Sequence, residues 1–187
     1  DRTAAFPHRA FDAVIEQLAP QVRIRWVATD SPDAKRTTVL MARGRVRQPD
    51  RNDDIVYGAI QTARTCGQPF LGTCSGFQYA VVEFARNVAG VTNAARAETQ
   101  PTGNSLVIER LACSLEAQER LVTCLPGTRL HELCGDVPFV GFHWCNYGLD
   151  GRYTDRLAAA GLVVSAHADD AGVEAVELPD HTFYVAT

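Results

Sequence analysis

One cysteine of this sequence stands in a position suited to nucleophilic chemistry. Cys74 is the centre of a Gly-x-Cys-x-Gly turn, between a short apolar run at residues 69–73 and a helical pattern of apolar residues. A strand that turns sharply into a helix is typical of a nucleophile elbow, here with cysteine in place of serine. The flanking glycines let strand and helix approach, and the helix N-terminus favours the reactive thiolate. We therefore predict that Cys74 is a nucleophile and that the backbone N–H of Ser75 stabilises a developing oxyanion.

The alternative interpretation of Cys74 is a buried structural cysteine in a glycine-rich turn. The other cysteines form neither a C-x-x-C pair nor a His/Cys cluster with zinc spacing; they are Cys66, Cys113, Cys124, Cys134 and Cys145. We expect small buried hydrophobic thiols rather than a disulfide framework, because a chain of this size builds its own core. This predicts a cytoplasmic protein without a structural metal.

The composition excludes several classes of protein. The chain has 187 residues, which fits one domain, and 46% of them are apolar, which is enough for a sizeable core. The 18 Lys and Arg residues against 22 Asp and Glu residues give a net charge of −4, so a basic nucleic-acid footprint is not expected. No apolar run approaches the ~18 residues that span a bilayer, and residues 1–3 lead into a helix-like segment without a signal-peptide pattern. Neither a nucleic acid nor a membrane is therefore expected as a partner.

The elements around Cys74 alternate between strand and helix. Apolar periodicity predicts a helix over 9–18, and Asn52-Asp53-Asp54 is predicted to cap a second helix that ends near Gly67. A third helix is predicted after Cys74. Such alternation is typical of an α/β layered sheet whose parallel strands are joined by crossover helices. Short strands are predicted at 22–28, 38–41 and 69–73 and, after Gly90, at 106–108, 121–125, 140–142, 161–165, 173–178 and 183–186, with a short helix at 153–160.

Several segments resemble a known family. Residues 69–78, Pro-Phe-Leu-Gly-Thr-Cys-Ser-Gly-Phe-Gln, and residues 83–90, Glu-Phe-Ala-Arg-Asn-Val-Ala-Gly, are similar to the class I glutamine amidotransferase family. The similarity is to the branch represented by the C-terminal glutaminase domain of CTP synthase. Residues 176–187 resemble the segment that precedes the family's catalytic histidine, and Ala97-Glu98 matches between them. Since the synthetase domain is not matched, the resemblance is to a standalone relative.

The resemblance implies a flavodoxin-like, three-layer α/β fold with a central, mostly parallel sheet. It implies a single domain over residues 1–187 that lacks the family's first strand and its histidine-containing C-terminal segment. The family hydrolyses the side-chain amide of glutamine with a Cys-His-Glu triad, through a thioester on the residue that Cys74 matches. The other matched positions are Gly44 and Ser75 for the oxyanion hole, and Gln78, Glu98, His143 and Asn146 for substrate binding, with Glu98 suited to the substrate ammonium. No phosphate-binding glycine loop is present, so we expect no cofactor.

Three positions depart from the family's pattern. Residues 41–45, Met-Ala-Arg-Gly-Arg, replace a loop that usually contains Pro-Gly and would carry the second oxyanion donor. Asn146 stands at about the place of an arginine that binds the glutamine carboxylate, and an amide cannot replace that bidentate cation. The family's catalytic His and Glu are expected after Thr187. Possible substitute bases within the chain are His143, His167 and His181, although His181 also fits a loop residue and His143 a residue that lines the pocket.

Three functions remain open from the sequence. The first is a Cys74-dependent amidotransferase-like enzyme that cleaves or transfers the amide of a small molecule, glutamine or an analogue. The second is a catalytically impaired relative that serves as a binding or regulatory module. The third is a cysteine hydrolase or lyase of the same fold that acts on another substrate. A homodimer or a separate synthetase partner is compatible with these functions.

Overall fold

The computed structural model describes residues 6–24, 27, 40–43 and 49–187. The described helices are α1 Phe6–Leu18, α2 Pro49–Thr65, α3 Ser75–Asn87, α4 Arg129–Cys134 and α5 Thr154–Ala159, with a 3₁₀ helix at Gly151–Tyr153. The described strands are β1 Leu40–Arg43, β2 Phe70–Thr73, β3 Ala94–Arg96, β4 Ser105–Arg110, β5 Gln118–Cys124, β6 Phe139–His143, β7 Tyr147–Leu149, β8 Val163–Ala168, β9 Gly172–Glu177 and β10 Tyr184–Ala186.

Seven of these strands form a central sheet in the order β1-β2-β10-β9-β8-β5-β6. Strand β2 pairs in parallel with β1 on one side and with β10 on the other. The four remaining neighbour pairs are antiparallel. The structure confirms the α/β fold, but its described sheet is mixed rather than mostly parallel. The reason lies in the second half of the chain, where short connections such as the turn between β8 and β9 replace the crossover helices that parallel pairing requires.

Helix α3 lies at the centre of the core. It contacts β1, β2 and β10 of the central sheet as well as the three strands of the second sheet, which has the order β3-β4-β7. Its first eleven residues, 75–85, are all buried. A helix covered on several faces must pair its polar side chains, and Glu83 accepts hydrogen bonds from Arg64 Nε and Nη2 of α2 at 2.9 and 2.7 Å. The N-terminus of α3 lies in this buried part of the helix, directly after the carboxyl end of β2.

Helix α2 begins earlier than the sequence predicts. Its first residue is Pro49, a residue favoured at the first helical position, so the prediction that Asn52-Asp53-Asp54 caps this helix is wrong. Asp53 instead accepts a 2.5 Å hydrogen bond from the Tyr79 hydroxyl and pairs with Arg96 at 3.4 Å. The side chain of Asp53 thus connects α2 to α3 and β3 instead of capping α2.

Two expected features lie at least partly outside the described residues. The strand predicted over 22–28 is only partly described, and residues 22–24 are not in a strand. Gly44 and Arg45 lie outside the described residues altogether. Within the described ranges, no helix has the length and apolar character needed to cross a membrane.

Candidate active site

Cys74 occupies a strained turn between β2 and α3. Its φ of 56° and ψ of −115° place a non-glycine residue in a backbone region that costs of order 1–3 kcal/mol unless its surroundings hold it there. Here the Cys74 N–H donates to the Thr187 carbonyl at 2.8 Å, and the Thr187 N–H donates to the Gly72 carbonyl at 2.8 Å. The Cys74 carbonyl accepts from the Gln78 N–H at 3.3 Å. The sharp strand-to-helix turn expected from Gly-x-Cys-x-Gly is therefore observed.

Gly72 is needed for the close approach of β2 and α3 at this turn. A Cβ atom at residue 72 would lie 2.9 Å from the carbonyl carbon and oxygen of Gly76 and 2.9 Å from the Phe70 ring. Ser75 follows Cys74 as the first residue of α3, a position whose N–H has no acceptor within the helix. This places the Ser75 N–H where an oxyanion donor is expected, and its role remains a prediction.

A cavity of about 360 Å³ opens at Cys74. Among the described residues, its lining is mainly apolar and contains no lysine or arginine. The ionisable side chains that line it are Cys74, Cys145, His143, Glu174 and Tyr147. The large apolar residues of the lining include Leu111, Leu115, Leu130, Phe139, Phe142 and Trp144. A ligand here would meet a mainly hydrophobic surface together with the Cys74 thiol.

Cys145 brings a second thiol to the same cavity. A hydrogen bond with Cys74 is the main cause that raises the pKa of Cys145, and burial and the negative charge of Glu98 raise the pKa further. Its Sγ donates to the Tyr147 carbonyl at 3.3 Å and accepts from Gln78 Nε2 at 3.2 Å. Cys145 is therefore a protonated thiol at neutral pH. The sequence interpretation treated it as one more buried hydrophobic residue, because no spacing rule links it to Cys74.

Gln78 belongs to a buried polar network behind the two thiols rather than to the cavity lining. Only 1% of its surface is exposed, and its Oε1 accepts from Arg96 Nη1 at 3.3 Å. Arg96 is itself 3% exposed, donates to the Tyr79 hydroxyl at 2.9 Å and lies 4.0 Å from the centre of the Tyr79 ring. Sequence reasoning missed Arg96; a lone cation among the small residues at 94–97 is the signal that could have identified it.

His143 and Glu174 form a second polar pair in the cavity lining. His143 Nε2 lies 2.7 Å from Glu174 Oε2, and Nδ1 lies 3.1 Å from the Gly141 carbonyl oxygen. Both ring nitrogens face acceptor oxygens, so neither directs a lone pair at Cys74 in this arrangement. His143 therefore lies in the cavity as predicted, but its ring nitrogens are directed at Glu174 and Gly141 rather than at Cys74. Glu174 was not identified from the sequence.

The remaining predicted residues lie outside the lining of the cavity. Asn146 donates from Nδ2 to Glu116 Oε1 at 2.8 Å, and Glu98 is half-buried in the turn after β3. His181 donates from Nε2 to the Ala63 carbonyl at 3.1 Å and accepts from the Phe183 N–H, which fits the loop interpretation. His167 lies on β8. In the described part of the chain, no group of three or more His, Cys, Asp or Glu side chains could hold a metal ion.

Comparisons of sequence relate this chain to known enzymes. The profile of the Peptidase C26 family matches residues 41–187. A CTP synthase of Caldanaerobacter subterraneus subsp. tengcongensis is 33% identical over 202 aligned positions, which cover 96% of this chain and 38% of that protein. A CTP synthase of Archaeoglobus fulgidus is 38% identical over 139 positions, which cover 69% of this chain and 26% of that protein. The chain thus spans about a quarter to two fifths of the length of these relatives.

Comparisons of structure agree with this relationship. The Trypanosoma brucei CTPS glutaminase domain with bound acivicin superposes with a TM-score of 0.82 at 25% identity, over 100% of this chain and 80% of that chain. A glutamine amidotransferase from Thermotoga maritima superposes with a TM-score of 0.55 at 10% identity, over 94% of this chain and 66% of that chain. The flavodoxin-like amidotransferase fold expected from the sequence is confirmed.

Proposed function

Because the chain belongs to the Peptidase C26 family of class I glutamine amidotransferases and is related to the glutaminase domain of CTP synthase, we propose that it cleaves an amide with Cys74 as the nucleophile. The observation that carries this proposal is the position of Cys74, on a strained turn at the N-terminus of α3 and in the lining of a cavity. A helix N-terminus favours a thiolate, and the turn exposes the sulfur to a bound ligand.

The reaction proceeds through a thioester. Cys74 Sγ attacks the carbonyl carbon of the amide, and the Ser75 N–H donates to the oxygen that becomes negative. Collapse of the tetrahedral intermediate breaks the C–N bond and releases ammonia after a proton reaches the nitrogen. Water then hydrolyses the thioester and returns the thiol. Among the described residues, this scheme needs Cys74 and Ser75 alone for covalent attack and oxyanion stabilisation.

The proton transfers require a separate group. The ring nitrogens of His143 are held by Gly141 and Glu174, so the ring would have to turn to act as a base for Cys74. The family resemblance expects the catalytic histidine to follow Thr187, and Thr187 lines the cavity with its carbonyl 2.8 Å from the Cys74 nitrogen. Because Thr187 lies beside the thiol, a histidine shortly after it could reach Cys74, and its imidazole is our first candidate for the general base and acid.

The cavity favours an amide without a free α-carboxylate. Glutamine carries an ammonium and a carboxylate, and a buried carboxylate needs a cationic partner. The described lining offers no lysine or arginine, and the one histidine in it is already paired with Glu174. A missing charge-assisted hydrogen bond costs on the order of 2–3 kcal/mol, or roughly thirty- to a hundredfold in binding. Within the first function open from the sequence, this lining favours an analogue of glutamine over glutamine itself.

Ammonia release from glutamine and from its α-methyl ester tests both statements. The full-length protein should release ammonia, with a kcat/KM for the ester about thirty- to a hundredfold higher, and Cys74→Ala should release none from either. Cys66→Ser is the matched control, since it changes an exposed thiol outside the cavity. No release from either substrate by a folded full-length protein would instead favour a binding or regulatory module. Efficient turnover of free glutamine would show that a cation elsewhere, such as Arg43 or Arg45, reaches the carboxylate.

A further inference from the structure

Two thiols meet at the cavity. Cys74 stands at the N-terminus of α3, and Cys145 lies in the segment between β6 and β7. Both line the cavity, both are thiols in this structure, and their side chains are hydrogen-bonded to each other. The Gln78 amide nitrogen, 3.2 Å from Cys145 Sγ, holds the second thiol against the first. A nucleophilic thiol with another thiol in direct contact is the arrangement from which a disulfide forms.

We propose that Cys74 and Cys145 are a redox-active dithiol site that forms a reversible disulfide when it meets a hydroperoxide. In the first step the Cys74 thiolate attacks the peroxide; an S–O bond forms, the O–O bond breaks, and the departing oxygen takes a proton and leaves as water or an alcohol. In the second step Cys145 Sγ attacks the sulfenic sulfur of Cys74. An S–S bond forms, the S–O bond breaks, and hydroxide leaves as water with the Cys145 proton. Together the two thiols lose two electrons, and the peroxide gains the same two electrons.

The order of the two cysteines follows from their surroundings. Cys74 stands at a helix N-terminus, which favours a thiolate. Cys145 keeps its proton, and its S–H donates a hydrogen bond to the Tyr147 carbonyl. The peroxide therefore oxidises Cys74 first, and Cys145 resolves the sulfenic acid. While the disulfide exists, Cys74 cannot form the thiolate that attacks an amide carbonyl, so oxidation stops the proposed hydrolysis and a dithiol restores it.

A second pair of cysteines provides an internal comparison. Cys134 lies close enough to Cys124 to hydrogen-bond with it, but Cys124 is only 6% exposed and packs in the apolar cluster of Val122, Ala166 and Ala175. Neither cysteine of that pair stands at a helix N-terminus. Contact between two thiols without an activated thiolate should not suffice for oxidation at neutral pH.

Disulfide mapping of the full chain tests the proposal. The reduced protein is treated with one equivalent of hydrogen peroxide at pH 7, blocked with N-ethylmaleimide and cut with chymotrypsin. Trypsin does not serve, because residues 65–86 hold both Cys66 and Cys74 without an internal cleavage site. Chymotrypsin cuts after Phe70, Phe77, Trp144 and Tyr147 and yields the separate peptides 71–77 and 145–147. We expect these two peptides as the main linked species, absent after dithiothreitol.

Variants and alternative outcomes make the result decisive. In the Cys145→Ser variant, the linked pair of peptides should be lost, and dimedone should trap Cys74 as a sulfenic acid. Further peroxide should oxidise Cys74 to the sulfinic acid, which dithiothreitol does not reduce back to the thiol. Cys66→Ser should retain the linkage. Recovery of Cys74 as a sulfinic acid in the wild-type protein, or a linkage confined to Cys124 and Cys134, would overturn the proposal. Because the readout is peptide mass, it remains decisive even if the protein proves inactive on amides.

Discussion

Cys74 and Cys145 are neighbouring thiols that we expect to differ in their reactivity. The raised pKa of Cys145 keeps this thiol protonated at neutral pH, and only the thiolate reacts with an alkylating agent. Cys74, which is half-buried like Cys145, differs from it in standing at a helix N-terminus, which favours a thiolate. With limiting iodoacetamide at pH 7, Cys74 should therefore be alkylated fastest of the six cysteines, and Cys145 should remain unmodified even when the pH rises to 9.

Peptide mapping at successive times measures this order. Unfolding in urea is the control, because it removes the hydrogen bond and the burial and should bring the rates of the two thiols together. Faster labelling of exposed Cys66 or Cys113 in the folded protein would contradict the assignment of Cys74 as an activated nucleophile.

At the scale of single residues, the sequence identifies Cys74 as the candidate nucleophile but does not identify the residues that surround it. Cys74 was found from a local pattern, since glycines two residues away on either side define the turn. The contact between Cys145 and Cys74 and the pairing of Glu174 with His143 join residues distant in the chain, and no spacing rule predicts such contacts. Asn146 was placed at the site by alignment with a family, but its side chain binds Glu116 instead. Tertiary packing, which the sequence does not show directly, decides which polar residues reach the cavity.

At the scale of elements, the approach of β2 to α3 depends on a missing side chain. A Cβ at residue 72 would come within 2.9 Å of the Gly76 backbone, which cannot move without displacing α3. Gly72→Ala should lower the free energy of unfolding by about 1–3 kcal/mol, as overpacked sites do, and should also slow alkylation of Cys74. Gly151→Ala is the matched control, because a Cβ there meets no atom within 4 Å. Urea denaturation of both variants measures the difference; equal midpoints would show that the strand and helix separate at little cost.

The elements that could be predicted are those with strong periodicity. Helix α1, strand β2 and helix α3 follow apolar patterns and lie where the sequence places them. Strands β3 and β7 have three residues each, too few for a period to show. The direction of the strands after Gly90 depends on whether a connection crosses the sheet, which short strand patterns do not reveal. In the central sheet, β2 therefore pairs in parallel with β1 and with β10. Antiparallel pairing occurs between strands such as β8 and β9, which a short turn connects.

At the scale of the whole molecule, buried tyrosines link stability to alkaline pH. Burial is the main cause that raises the pKa of Tyr57, Tyr79 and Tyr184. In the unfolded chain a tyrosine ionises near pH 10, so above that pH the unfolded state loses protons that the folded state keeps. A raised pKa in the folded state contributes stability that is fully present below pH ~10 and is lost as the pH rises through the folded value. The free energy of unfolding should therefore fall between pH 8 and pH 11.

Tyr184 provides the sharpest test of this dependence. Its ring packs on Phe70 with 4.5 Å between centroids, and its buried hydroxyl has no hydrogen-bond partner within the described residues. An unpaired buried hydroxyl costs about 1–3 kcal/mol, so Tyr184→Phe should leave the free energy of unfolding at pH 8 unchanged or raise it by up to that amount. The loss of stability between pH 8 and pH 11 should also be smaller in this variant, because one of the protons that the folded state retains has been removed.

Urea midpoints at both pH values measure the two effects, with Tyr153→Phe, at a half-buried tyrosine elsewhere, as the control. A clear loss of stability at pH 8 would mean that the Tyr184 hydroxyl has a favourable partner, and an unchanged pH dependence would assign the alkaline loss to other groups.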